Sequence, residues 1–389
     1  MNDMNLSIDA AITTHIDQNS SCFFTQKYHL LATDLVETIN LPAVDFTVLN
    51  EKIQLLFQKL KQVPDANPIL IGAIPFDTTQ PSCLNIYGQH QKQDQLEIAM
   101  NAEPISLKIA QRNALVEADV FAKSIDSAKQ HFSNKTLEKI VLSQAVDFNL
   151  HHPHDPYVLA ATLAKKNPHA YSFVVPVENQ AFLLGASPEL LLAKHGQHVR
   201  SNPLAGSRPL SQDAEVNQSH IDDLYASSKD LHEHQIVVDS VFQHLRPFCE
   251  YLKVSPRPEI LSTTTMLHLS TVFDGRLDAT DLNALQIALA LHPTPAICGS
   301  PTQLAKDFIL ENEGYDRHYY AGLVGWMDAE GNGEWVVTIR CGLLENHQQP
   351  QNIRLYAGAG IVTGSDATSE WNETEAKMQT LLKTLNAEF

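Results

Sequence analysis

Between residues 48 and 62 the apolar side chains Leu49, Ile53, Leu56, Phe57 and Leu60 recur at helical spacing, which predicts an amphipathic helix. The period then changes. Residues 68–77 (PILIGAIPFD) form an apolar run ended by Pro and Asp, and 80–87 follow as a second extended segment, whereas 106–132 read as helical again. From Lys139 onward short extended runs dominate, at 139–147, 171–175, 181–185 and 190–194. They are interrupted by one helix at 156–166, which Asp155 and Pro156 open with a good start signal. That sequence of runs predicts an antiparallel sheet. Helices are expected at 213–227 and 229–245, an extended segment at 264–273, and a helix at 281–291 that stops before Pro293. Strands are expected at 323–327, 333–341 and 353–357, and a last helix from about 368 to 385. No repeat, low-complexity tract or Gly/Ser-rich linker divides the pattern, so the expectation is one large α+β domain over residues 1–389.

Composition adds little, since 43% hydrophobic and 19% charged residues describe an ordinary globular protein and exclude only disordered and fibrous classes. Charge adds more. Lys and Arg number 27 against 45 Asp and Glu, a formal net charge of −18, so the far field repels polyanions and nucleic acid is not an expected partner. A small anionic substrate would need a locally basic pocket. The longest apolar stretches, such as 284–291, fall well short of the roughly 18 residues of a membrane span, so no membrane partner is expected. Residues 1–20 carry Asp3, Asp9 and Asp17 and show no secretory pattern, which makes the cytoplasm the expected compartment. Cys22, Cys83, Cys249, Cys298 and Cys341 are odd in number, far apart and without a CxxC pair, and read as small buried apolar residues.

Several local patterns carry chemistry. In the last helix Glu370, Glu373 and Lys377 share one face, either as a site or as a solvated face with a Glu373–Lys377 pair. SSKDLHEH places Asp230, Glu233 and His234 on one helical face, where carboxylates a turn apart suit a hard cation such as Mg²⁺, or simply a charged surface. Lys139 opens the run KIVLSQ, and Glu189 in LLGASPELL is flanked by apolar residues that would desolvate its carboxyl and raise its pKa. Such a glutamate can act as an acid and a lysine as the complementary base, although a loop-capping glutamate and a strand-edge lysine fit equally well. The glycine-rich YAGAGIVTG (356–364) follows a strand and could cradle an anion with its N–H groups, yet its GxGxxxG spacing is not a dinucleotide fingerprint. His151, His152 and His154 in HHPHDP lie in a Pro-broken loop with no fixed geometry for a metal.

Taken in order, KIVLSQ, LLGASPELLL, NPLAGSRP, SSKDLHEH, LHPTPAICG, YYAGLVGWMDAEGNGEWVVTIR and YAGAGIVTGSDATSEWNETEAK resemble the chorismate-utilising enzymes, most closely the isochorismate synthases. Seven ordered motifs are far more specific than any one alone. The resemblance is strong over about 130–389 and reaches back to GAIPFD at 72–77, while the first 60 residues match no motif of the family. It implies a large, mainly antiparallel β-sandwich core flanked by helices. It also implies that Lys139 is the general base that activates water and Glu189 the general acid that protonates a departing hydroxyl. Glu233 and Glu373 match magnesium ligands, with Asp230 and Glu370 acting through water. Arg340, Tyr320, Lys377 and the Gly358 backbone match positions that hold the substrate carboxylates, and Gly206 and Ser207 line the same pocket.

The implied reaction is attack of water at C2 of chorismate with displacement of the C4 hydroxyl, giving isochorismate. Ala205 stands where aminodeoxychorismate synthases carry a lysine nucleophile, and Ala296 where salicylate synthases tend to have Thr, which favours release of isochorismate. The alternatives are a salicylate synthase, which goes on to eliminate pyruvate, and a catalytically silent chorismate-binding homologue. A monomer is expected, working beside an isochorismatase or a lyase in siderophore, menaquinone or salicylate formation. The chain departs from its relatives at Ser365-Asp366-Ala367, where a proline is common, and at Gln144, where many have Arg.

Overall fold

Along Tyr171–Pro176 the side chains alternate between two apolar cores, with Phe173 and Val175 in one and Val174 in the other. Ala181–Ser187 repeats the alternation, Leu183 facing the first core and Phe182, Leu184 and Ala186 the second. A sheet buried on both faces therefore runs through the middle of the molecule. The computed structural model describes residues 17–94, 105–345 and 350–388. Its strands form one seventeen-stranded hydrogen-bonded sheet and a three-stranded sheet made of Leu204–Pro209, Met266–Ser270 and Glu259–Ser262, with antiparallel strand pairing throughout. With eight α-helices among the described residues, this is the expected α+β architecture.

The central pairing joins Lys139–Leu150 to Asn352–Ile361 over ten residues, from Asn149 opposite Asn352 to Ile140 opposite Ile361. Two helices bring polar side chains to this pair. Ser228–Leu245 starts where the Ser227 hydroxyl accepts from the Asp230 amide at 3.2 Å. Ala367–Thr384 starts where Asp366 accepts from the Ser369 amide at 2.9 Å. Met378, Leu381 and Leu382 of that helix bury into the second core.

Several expected elements take a different form. Within 106–132 only Ala118–Ser133 is helical, and Ile109–Ala114 is a strand against Lys139–Leu150. Four of its six side chains are exposed, so backbone pairing rather than an apolar face decides it. The expected strand 333–341 is two strands, Gly333–Val337 and Cys341–Glu345, parted at Arg340, whose φ of 51° lies in the left-handed region. The expected segment 264–273 divides between Met266–Ser270 in the small sheet and Phe273–Leu277 in the large one. Thr302–Asn312 is a helix that the pattern did not announce, since only Ala305, Phe308 and Ile309 are buried on it. No helix among the described residues is long and apolar enough to cross a membrane.

Candidate active site

A cavity of about 300 Å³ opens between the small sheet, the two polar helices and the central strand pair. Its wall contains Glu189, Gly206, Ser207, Asp230, Glu233 and Ala296, and further round Tyr320, Arg340, Gly358, Glu373 and Lys377. Eleven of the thirteen residues singled out in the sequence thus surround one space. Lys139 is not itself on the wall, and its Nζ lies 2.7 Å from the wall residue Glu233. Glu370 is also absent from the wall and is buried.

Backbone geometry explains how three wall segments approach one another. Gly206 sits at φ +76° where the pairing of Leu204–Pro209 shifts register, and a Cβ there would stand 3.2 Å from the Asp230 Cβ. The glycine-rich run 356–361 lies inside the Asn352–Ile361 strand, not in an anion-binding loop after it. Its glycines make room: a Cβ on Gly358 would stand 2.8 Å from the Tyr320 hydroxyl, and one on Gly360 3.0 Å from Glu233 Oε1. Tyr320 stacks on Tyr356 with ring centroids 5.1 Å apart.

Electrostatically the cavity has two characters. Burial pushes the Glu189 carboxyl up to about 7, against the weaker opposing effects of the Leu204 amide, 3.4 Å from Oε1, and the charge of Lys139. A carboxyl so placed is substantially protonated at neutral pH and can donate. Lys139 is 1% exposed, and its Nζ meets Glu233 in an ion pair without making an aligned hydrogen bond. Burial acts to raise the Glu233 carboxyl, but the charge and contact of Lys139 outweigh it and hold the group below its ordinary range. On the other side Lys377 donates to the Gly358 carbonyl at 2.9 Å and pairs with Glu373 at 2.6 Å. Arg340 Nη1 donates to the Lys377 carbonyl at 3.3 Å, and Arg208 pairs with Asp230 at 2.8 Å. Glu370 is raised by burial and by the charge of Glu373.

Among the described residues no three acidic, imidazole or thiolate side chains converge as a ready metal cage, at the cavity or at His151, His152 and His154. Glu233 and Glu373 nevertheless offer hard carboxylate oxygens to one cavity, each already balanced by a lysine. Mg²⁺ is commonly held by one or two carboxylates plus water and substrate oxygens, so this donor set fits it.

The sequence reading missed His268, a wall residue whose Nε2 is buried without a hydrogen-bond partner. Burial, then the charges of Arg340 and Lys377, lower its pKa to about 3, so it faces the cavity as a neutral ring. A histidine within the apolar strand MLHLS was the available signal. His234, also buried, turns its Nε2 to the Thr271 hydroxyl at 2.7 Å and leaves only its Nδ1 without a partner.

Residues 79–386 match the chorismate binding enzyme family. The chain is 37% identical to the isochorismate synthase DhbC of Bacillus subtilis, over 94% of each chain. It is 40% identical to the isochorismate synthase EntC of Escherichia coli, over 85% of each. The crystal structure of the Bacillus anthracis protein assigned as a 2,3-dihydroxybenzoate-specific isochorismate synthase, DhbC, superposes with a TM-score of 0.88 at 35% identity, covering 97% of this chain and 99% of that one.

Proposed function

The chain belongs to the chorismate-binding enzyme family, and from that premise we propose that it is an isochorismate synthase, an isomerase that interconverts chorismate and isochorismate. The observation that carries the reading is a Glu189 poised near neutrality on the cavity wall, with the buried Lys139 reaching that wall at Glu233. Lys139 removes a proton from the water that attacks C2. Glu189 delivers a proton to the hydroxyl that leaves C4, so hydroxide is never expelled as such, and the ring exchanges one hydroxyl position for another with no redox change. Arg340, Tyr320 and Lys377 hold the carboxylates of the dianion in a protein whose net charge is −18. The Gly358 backbone and the Gly206–Ser207 segment, where the strand shifts register, close the pocket around it.

Glu233 and Glu373 would hold Mg²⁺, with Asp230 and Glu370 reaching it through water. When bound, the ion supplies positive charge against a substrate carboxylate. Ala296 leaves the pocket without the hydroxyl that salicylate synthases tend to place there, which supports release of isochorismate over loss of pyruvate.

The test is mutational. Lys139→Ala and Glu189→Gln should each lower isochorismate formation by about 10²–10⁴-fold in folded protein, the usual weight of a proton-transfer group. Turnover within a few-fold of wild type in either variant would remove the assignment.

A further inference from the structure

One edge of the Lys139–Leu150 strand is paired without interruption by Asn352–Ile361, but the other is paired only in pieces. Gly299–Ser300 covers Ile140 and Lys139, and the Val141 amide donates to the Cys298 carbonyl at 2.8 Å. Ile109–Ala114 resumes the edge at Val146, with the Leu115 amide donating to the Ala145 carbonyl at 2.9 Å. Between these two patches lie the Val141 carbonyl and the Ser143 amide, both inside the protein. Among the described residues no neighbouring strand reaches them.

Two side chains do. Arg317 Nη2 donates to the Val141 carbonyl at 2.8 Å, and Glu313 Oε1 accepts from the Ser143 amide at 2.7 Å and from its hydroxyl at 2.7 Å. Arg317 Nη1 donates to the Ile297 carbonyl at 3.0 Å, next to Ala296 on the cavity wall. The two side chains also bond each other through a two-point fork, Arg317 Nη2 to Glu313 Oε1 being 2.6 Å, and each is 2% exposed. An apolar pair of the same volume would leave the Val141 and Ile297 carbonyls and the Ser143 amide buried without partners.

We propose that Glu313 and Arg317 are a positioning pair that stands in for the missing sheet neighbour. They fix the strand carrying Lys139 against the loop carrying Ala296, and so set where the base lies relative to the substrate. This rests on the reading of Lys139 as the base. A buried ion pair is weak evidence for stability, since desolvating the two charges offsets most of their attraction. Its ordering of two backbone segments is what recommends it here, because displacing a reacting group by about 1 Å can cost about 10²-fold in rate.

The experiment compares Arg317→Lys with wild type at saturating Mg²⁺, measuring kcat and KM for chorismate and confirming by circular dichroism that both are folded at the assay temperature. A lysine keeps the charge but cannot span Glu313, Val141 and Ile297 together. The expected result is a kcat lower by roughly 10–100-fold with a smaller change in KM, because Arg340 and Lys377 do not bond to the pair and a lysine keeps a cation near the Tyr320 ring, whose centroid lies 5.8 Å from the Arg317 guanidinium. If Arg317→Lys does not fold, Glu313→Asp, which keeps the charge but draws the carboxylate back from Ser143, takes its place with the same expected split. A folded variant with wild-type kcat, a loss confined to KM, or failure of both variants to fold would each overturn the positioning role. Wild-type turnover measured alongside judges the function separately, and its absence would sink both.

Discussion

Glu189 combines two properties of one carboxyl: burial raises its pKa to about 7, and the same burial makes its ionised form costly to the fold. The acid must be protonated to work, so kcat/KM, which reports the free enzyme, should fall with rising pH above about 7, and a log kcat/KM profile should show that limb. Because the folded pKa lies above the unfolded value of 4.5, the stability linked to this proton is fully present below pH 4.5 and is lost as pH rises through 7. Glu189→Gln should therefore be inactive yet more stable than wild type at pH 8, by on the order of 3 kcal/mol, with the gain vanishing near pH 4. Thermal unfolding at the two pH values checks this, and a variant less stable at pH 8 would contradict the burial argument. Glu189 and Lys139 are legible as residues because apolar neighbours and a strand start surround single polar groups. His268 is not, since one histidine in a strand is more often a packed ring than a cavity wall.

At the scale of elements, the glycine-rich run shows where local reading fails. Alone it resembles an anion loop, and only its ten-residue pairing with Lys139–Leu150 makes it a strand whose missing side chains admit Tyr320 and Glu233. Gly358→Ala should push the Tyr320 hydroxyl aside and raise KM for chorismate by roughly tenfold with a smaller effect on kcat. Steady-state kinetics decides it, and an unchanged KM would mean that Tyr320 does not hold the substrate. The helix start at Pro156 is legible because Asp155 caps it with a local hydrogen bond. Ile109–Ala114 and the break at Arg340 are not, because pairing with distant strands creates the one and an unusual φ of a non-glycine residue the other.

Over the whole molecule the net charge is −18, and at the cavity Arg208 and Lys377 are offset by Asp230 and Glu373, which leaves Lys229 and Arg340 to oppose that charge and draw in a dianion. Added salt should lower kcat/KM more than kcat. Lys229→Glu, at an exposed wall position, should lower kcat/KM several-fold and flatten that dependence. A salt-independent kcat/KM would show that steering plays no part. The order of seven motifs makes the architecture legible at this scale, while the partition of strands between the seventeen-stranded and three-stranded sheets depends on contacts that no local window contains. Chelation belongs here too: EDTA should abolish turnover and Mg²⁺ restore it, and indifference to the chelator would exclude Glu233 and Glu373 as the ion's holders.

The most direct test of the account is to incubate the wild-type protein with chorismate and Mg²⁺ and to identify the products by chromatography. The account predicts isochorismate in equilibrium with chorismate and no pyruvate. Stoichiometric pyruvate, or chorismate recovered unchanged, would contradict it.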